Sequence, residues 1–231
     1  MNKFIIQKEI ARLIVLQRIE LIDSKMKKIR KVFGRKFFSS FITKYFLNTA
    51  LIGKKYFDVM EKEFFTLKNF IEIKDKNFLS IGGGVGGLEL FINNKVDNSF
   101  FCFVEKNYVT KKVKYGWDEK NLEAYNNIEL QKKFLLKNGM ETSSFKIFDC
   151  DKDVLPENKF DVIISLLSLD YHYDFNIYIE YLKKVSHMET KIIFDTIRAE
   201  YFSKIFKNVE IIQSQDQTVH KSKRIVCSEF I

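Results

Sequence analysis

Residues 80–87 read Ser-Ile-Gly-Gly-Gly-Val-Gly-Gly, so that five of eight positions carry no side chain. Where no Cβ stands in the way, backbone amides can approach a charged or polar ligand, and the chain can turn through conformations closed to other residues. The string satisfies two spacings at once: Gly-x-Gly-x-Gly through Gly82, Gly84 and Gly86, and Gly-x-Gly-x-x-Gly through Gly82, Gly84 and Gly87. Both spacings serve nucleotide cofactors, and the string alone does not choose between them. Glu105 stands near the distance after the glycines at which an acid accepts hydrogen bonds from both ribose hydroxyls, and an ordinary exposed acid at a strand end is the alternative. Asp149 could accept from an adenine amine, although Asp151 and Asp153 follow at once and a loop-capping role suits the same residues. His172, flanked by Asp170 and Asp174, has the makings of a general base, because imidazole titrates near neutrality and a carboxylate can orient it. A loop or packing histidine is the other reading, and His220 is a reserve candidate. No His, Cys and carboxylate spacing suggests a catalytic metal.

These residues need a scaffold that brings distant segments to one rim. Residues 78–81, 100–105, 145–148, 160–166 and 191–197 are short, β-prone and apolar, several on both faces, as parallel strands covered by helices should be. Helical patterns at 88–93, 122–137 and 177–186 alternate with them, which predicts a doubly wound parallel sheet of Rossmann type. A helix is expected near 199–206, followed by strands at 209–214 and 224–230. No helix separates these last two, so they predict an antiparallel closing hairpin, and the sheet has seven strands in all.

Residues 1–75 differ in texture. Apolar residues recur at three- and four-residue intervals over 4–33, and aromatics continue the pattern over 37–47 and 56–71, with breaks expected near Gly34 and Gly53. This predicts a helical amino-terminal segment, serving as a cap or a dimerisation surface, ahead of an α/β domain over 76–231.

Composition sets the remaining bounds. With 231 residues, 46% hydrophobic, one proline and nine glycines, the chain suits a single folded α/β unit with a helical extension. Cys102, Cys150 and Cys227 are odd in number and set in apolar runs, which fits reduced thiols and a cytoplasmic setting. No stretch approaches a membrane span, and no secretory leader is visible. The net charge of +9 is uneven: residues 1–77 hold 18 Lys and Arg against 8 Asp and Glu, and the remainder 21 against 22. The whole excess precedes the glycine loop, as a solvated lysine-rich face or as a patch for an anionic partner such as a phosphorylated glycan precursor, nucleic acid or a membrane surface.

The ordered series Phe78-Leu79-Ser80-Ile81-Gly82-Gly83-Gly84-Val85-Gly86, Phe103-Val104-Glu105, Phe148-Asp149, residues 160–165 and Ile192-Ile193-Phe194-Asp195 resembles the motifs of class I S-adenosylmethionine-dependent methyltransferases. The resemblance covers residues 78–231. It implies S-adenosylmethionine as cofactor, with Gly82, Gly84, Gly86, Glu105, Asp149 and Ser165 forming its site. Ser80 departs from the family, which often carries an acid two residues before the first glycine. A second likeness, to sugar O-methyltransferases assigned to bacterial surface-polysaccharide clusters, rests on Tyr115-Gly116-Trp117, Tyr125-Asn126-Asn127 with residues 134–139, and Ser168-Leu169-Asp170-Tyr171-His172-Tyr173 with Tyr178-Ile179. The Asp/Asn-Pro-Pro-Tyr string of amino methyltransferases is absent. The expected activity is therefore O-methylation of a sugar-like small molecule with His172 as catalytic base. The rivals are a nucleic-acid methyltransferase, favoured by the basic amino-terminal region, and a catalytically silent binding module of the same fold. A homodimer through the amino-terminal helices is a further expectation.

Overall fold

The computed structural model describes residues 2–109, 125–171, 173–214 and 221–231. Strands β1 (Asn77–Ile81), β2 (Phe100–Glu105), β3 (Phe145–Asp149), β4 (Phe160–Ser165), β5 (Ser186–Thr196), β6 (Phe206–Ser214) and β7 (Lys223–Phe230) form one sheet. Their order is β3-β2-β1-β4-β5-β7-β6, and β7 runs antiparallel to both of its neighbours while the first five strands pair in parallel. The seven-stranded α/β sheet with a reversed closing strand matches the expectation from sequence. Register sets the rim: Ile81 pairs with Val104, Glu105 with Asp149, and Ser165 with Phe194, so the carboxyl ends of β1 to β5 finish side by side.

Helices α5 (Gly87–Asn93), α6 (Ile128–Lys137) and α7 (Ile179–Val185) accompany the strands. The Asn127 side chain accepts the Leu130 amide and caps α6, which explains where that helix starts. Two differences from the sequence reading have simple causes. Residues 199–206 do not make an α-helix; Ala199–Lys204 is a 3-10 turn that feeds directly into β6. Strand β5 starts five residues before its apolar run, because Thr190 bonds back to the Phe160 carbonyl at 2.7 Å and Ser186 pairs with Phe160 across an irregularity in register.

Before the sheet lie α1 (Lys8–Gln17), α2 (Ser24–Phe37), the short α3 (Thr43–Tyr45) and α4 (Thr49–Leu67), with a π-helical stretch Phe38–Ile42 between α2 and α3. Gly34 interrupts α2 with a φ of 77°, as expected. Gly53 does not break a helix, contrary to the sequence reading. It lies inside α4, where a Cβ would come within 2.4 Å of the Phe4 carbonyl oxygen, so glycine is required by the approach of the chain at Phe4 and not by a turn.

The helical segment and the sheet share one core: Phe4, Ile14, Tyr56 and Met60 belong to the same buried cluster as Phe78, Phe101 and Phe103. A second cluster, around Phe160, Phe175, Phe194 and Phe202, fills the other face of the sheet. Polar docking reinforces the first. Arg224 of β7, fully buried, donates to both Asp195 carboxylate oxygens of β5 at 2.9 and 3.2 Å, and also to Glu63 and Thr66 of α4. Arg18, just beyond α1, completes the chain to Glu63 at 3.4 Å. Burial opposes the charge on Arg224, yet Asp195 and Glu63 hold its pKa above the ordinary value. Removing such a cation takes the guanidinium from the fully buried Asp195 and leaves Glu63 paired with Arg18. Arg224→Ala should therefore cost about 3–5 kcal/mol of folding stability by chemical denaturation, and a loss below 1 kcal/mol, the range of an exposed pair, would show the network to be idle.

Candidate functional site

The glycine loop joins β1 to α5 at the centre of the rim. Its left-handed residues are Gly82, Gly84 and Gly86, with φ of 64°, 69° and 85°, which is the Gly-x-Gly-x-Gly set. Gly87 is the first residue of α5, and its missing side chain serves packing: a Cβ there would meet the Tyr56 ring and hydroxyl of α4 at 2.6 to 2.7 Å. The left-handed turn thus falls on one spacing and the packing requirement at the helix start on the last glycine of the other. At Gly84 both reasons for glycine coincide, since a side chain would be strained by its φ and would also collide with the Gln17 amide at 2.7 Å.

Glu105, at the end of β2, is 3% exposed and accepts the Gly84 amide at 3.0 Å. Asn126 binds the other side of the same residue, donating to the Gly84 carbonyl at 3.1 Å and to Gln131 at 3.0 Å. The end of α1 closes over this clamp: the Gln17 amide donates to the Tyr125 carbonyl at 2.6 Å. Burial raises the Glu105 pKa well above the usual carboxylate value, with nearby Glu89 adding to the rise and Asn126 and the loop amides partly offsetting it.

Glu89 was not anticipated from sequence. It lies in the first turn of α5, 2% exposed, and its Oε1 accepts the Ser80 hydroxyl at 2.6 Å while Oε2 has no hydrogen-bond partner among the described residues. Ser80 and Glu89 both press on Gly83, where a Cβ would come within 2.3 and 2.8 Å of their oxygens. An acid is therefore present beside the loop although position 80 lacks one, supplied from nine residues downstream. The signal was an acid three residues after Gly86, unremarkable without the turn that folds it back.

The other expected residues divide. Asp149 is buried at the end of β3, but its Oδ1 accepts the Asp151 amide at 3.1 Å and Oδ2 lies 3.4 Å from Lys152, so its oxygens cap a loop. Ser165 donates to the Ile81 carbonyl at 2.7 Å and accepts the Leu169 amide at 2.9 Å, fastening β4 to β1 and shaping the loop that follows. Asp149, Cys150 and Asp151 have ligand atoms within 4.8 Å of one another. Burial and Asp151 push the Cys150 thiol up to about 11, which keeps it a protonated, poor metal ligand near neutrality. The three cysteines are free thiols.

His172 and His220 lie outside the described residues, as does Tyr115-Gly116-Trp117. Of the acids expected to orient His172, Asp170, fully buried at a φ of 56°, and Asp174 lie 2.6 and 2.8 Å from the same Arg198 guanidinium nitrogen. Thr196 also donates to Asp170 at 2.5 Å. The loop after β4 is thereby locked, and it brings Ser168 over Gly82 and half-buried Tyr171 near Asp195, Glu20 and Arg18.

Among solved structures, the chain is similar to a protein from Nostoc punctiforme PCC 73102 named as an O-methyltransferase, with a TM-score of 0.50 and 12% identity over 77% of this chain. It spans 61% of that protein's length. It is likewise similar to a protein from Klebsiella pneumoniae, also named as an O-methyltransferase, with a TM-score of 0.50 and 9% identity over 81% of this chain and 94% of that one. The chain shares the fold of these methyltransferase structures. No family model and no curated protein sequence matches the chain. In this methyltransferase fold the glycine loop and Glu105 occupy the rim where strand order reverses around β1 and β4, the crevice in which open α/β sheets bind ligands.

The two raised carboxyls give the site a pH signature. Burial also raises Glu89, with the Ser80 hydrogen bond partly offsetting it. Because both folded values exceed the unfolded ones, the folded state holds protons that the unfolded chain releases. Their contribution to stability is complete below the ordinary carboxylate range and is lost as pH rises through the folded values. The denaturation midpoint of Glu105→Gln should accordingly gain on that of the ligand-free wild type as pH rises from the ordinary carboxylate range towards neutrality. Parallel profiles for the two proteins would show that folding does not raise the Glu105 carboxyl.

Proposed function

We propose that the chain is an S-adenosylmethionine-dependent methyltransferase that acts on a hydroxyl of a sugar or similar small molecule. The observation that carries the cofactor is the pairing of a side-chain-free, left-handed turn at Gly82, Gly84 and Gly86 with two buried acids, one of them holding an orphaned oxygen. These residues fit the group. Glu105 would accept from the ribose hydroxyls and Glu89 with Ser80 would face the ammonium of the amino-acid end, while Ser168 over Gly82 and Gln17 over Gly84 would have to give way to the ligand. When bound, the cofactor supplies a methyl group already activated by its sulfonium.

The protein's own work is then alignment, exclusion of water and proton removal. Ser165, through its bonds to Ile81 and Leu169, fixes the loop that carries Ser168 to Gly82. Arg198 stiffens the same loop through Asp170 and Asp174. His172 sits in this loop by sequence, and we assign it the removal of the acceptor hydroxyl's proton. The preference for a small hydroxylated acceptor rests on the aromatic-rich sequence at 115–127 and on the absence of an Asp/Asn-Pro-Pro-Tyr string.

Calorimetry should find saturable binding of S-adenosylhomocysteine and none of NAD. Gly84→Val should abolish binding, and Glu105→Ala should weaken it by about 1–3 kcal/mol through unpaired hydroxyls; wild-type affinity in both would place the site elsewhere. With an acceptor in hand, His172→Ala should lower turnover by about 10²–10⁴-fold and leave S-adenosylhomocysteine affinity unchanged. Turnover on RNA or DNA alone would overturn the acceptor class, and binding without turnover on any acceptor would favour the silent module.

A further inference from the structure

A surface remote in character from the cleft lies on α2, the π-helical stretch and α3. Phe33, Phe37, Phe41, Tyr45 and Phe46 are all 40% exposed or more, in a segment of only 14 residues. Their rings form a continuous row: Phe33 to Phe37 at 5.4 Å, Phe37 to Phe41 at 5.2 Å, and Phe41 to Tyr45 at 5.1 Å between centroids. Phe38 and Ile42 are buried and anchor the segment to the core, so the row is an outward face of a fixed element. Such an apolar patch on a protein surface calls for a partner.

Charge identifies the partner. From Ser24 to Phe46 the chain carries eight Lys and Arg and no Asp or Glu. Lys8 and Lys44 stand over the Tyr45 ring at 5.8 and 5.2 Å, at the end of the aromatic row. Exposed aromatics combined with clustered cations on a helical element are the features of a segment that lies in the plane of an anionic bilayer, with rings in the acyl boundary and cations among the headgroups. A second copy of the chain would set like charge against like charge across a two-fold interface. Single-stranded nucleic acid needs open ring faces for its bases, whereas Phe37 and Phe41 stack on one another at 24°. No helix among the described residues is long and apolar enough to cross a membrane. We infer that residues 24–46 are a peripheral docking surface for anionic lipid bilayers.

The test is cosedimentation of the full chain with vesicles of phosphatidylcholine alone and of phosphatidylcholine with phosphatidylglycerol. Binding is expected to the anionic vesicles only, and to weaken as salt is raised. Lys27→Ala should lower the partition coefficient about five-fold, the effect of one cation near the surface. The double variant Phe37→Ser, Phe41→Ser should lower it about ten-fold or more. Both variants alter exposed side chains, so the thermal midpoint should stay at its wild-type value and S-adenosylhomocysteine binding should be unaffected. The inference is overturned by absence of binding to anionic vesicles, or by equal binding of the wild type and the double variant. It is equally overturned by a wild-type dimer that the double variant dissociates, or by tighter binding to a single-stranded RNA oligonucleotide that both variants weaken.

Discussion

Elements from both the amino-terminal helices and the α/β sheet enter space that a side chain on the glycine loop would fill. Ser168 from the loop after β4 reaches Gly82, Ser80 and Glu89 reach Gly83, Gln17 from α1 reaches Gly84, Leu135 of α6 reaches Gly86, and Tyr56 of α4 reaches Gly87. The loop is the point on which the amino-terminal helices, the sheet and the crossover helices converge. Its bareness permits two distinct things, a left-handed path at three positions and close packing at others. A residue with a Cβ at any of these positions would push away a different part of the fold.

That convergence explains why acids can be buried beside the loop. Glu105 accepts from the Gly84 amide and is further eased by Asn126, Glu89 accepts from the Ser80 hydroxyl, and burial nonetheless raises both carboxyls. The Glu89 Oε2 has no hydrogen-bond partner among the described residues. A ligand that brings hydroxyl donors to one and a cation to the other would favour their ionised forms, and perturbed groups of this kind mark functional sites. The buried pair is the physical reason for assigning a cationic nucleoside to this crevice.

The sheet was legible because its strands are apolar on both faces and its helices are not, a contrast of period that survives without any tertiary information. The closing strand was legible because no helix separates residues 209–214 from 224–230. What escaped were features created by distance in sequence. Arg224 meets Glu63 across 161 residues, and nothing in either neighbourhood announces the other. Gly53 looked like a helix break because propensity is local, whereas its reason is the carbonyl of Phe4. At the site, Glu105 was found by its place at a strand end, but the family position at Ser80 drew attention away from Glu89. Asp170 and Asp174 are adjacent to His172 in sequence, and their shared ion pair with Arg198 from beyond β5 is a contact that spacing does not show.

The most direct test of the account is a crystal structure of the chain with S-adenosylhomocysteine bound. It should show both ribose hydroxyls within hydrogen-bond distance of the Glu105 carboxylate and the ligand's amino group facing Glu89 beside Gly83. A ligand seated elsewhere on the chain, or in the crevice with neither acid touching it, would contradict the assignment of the buried pair.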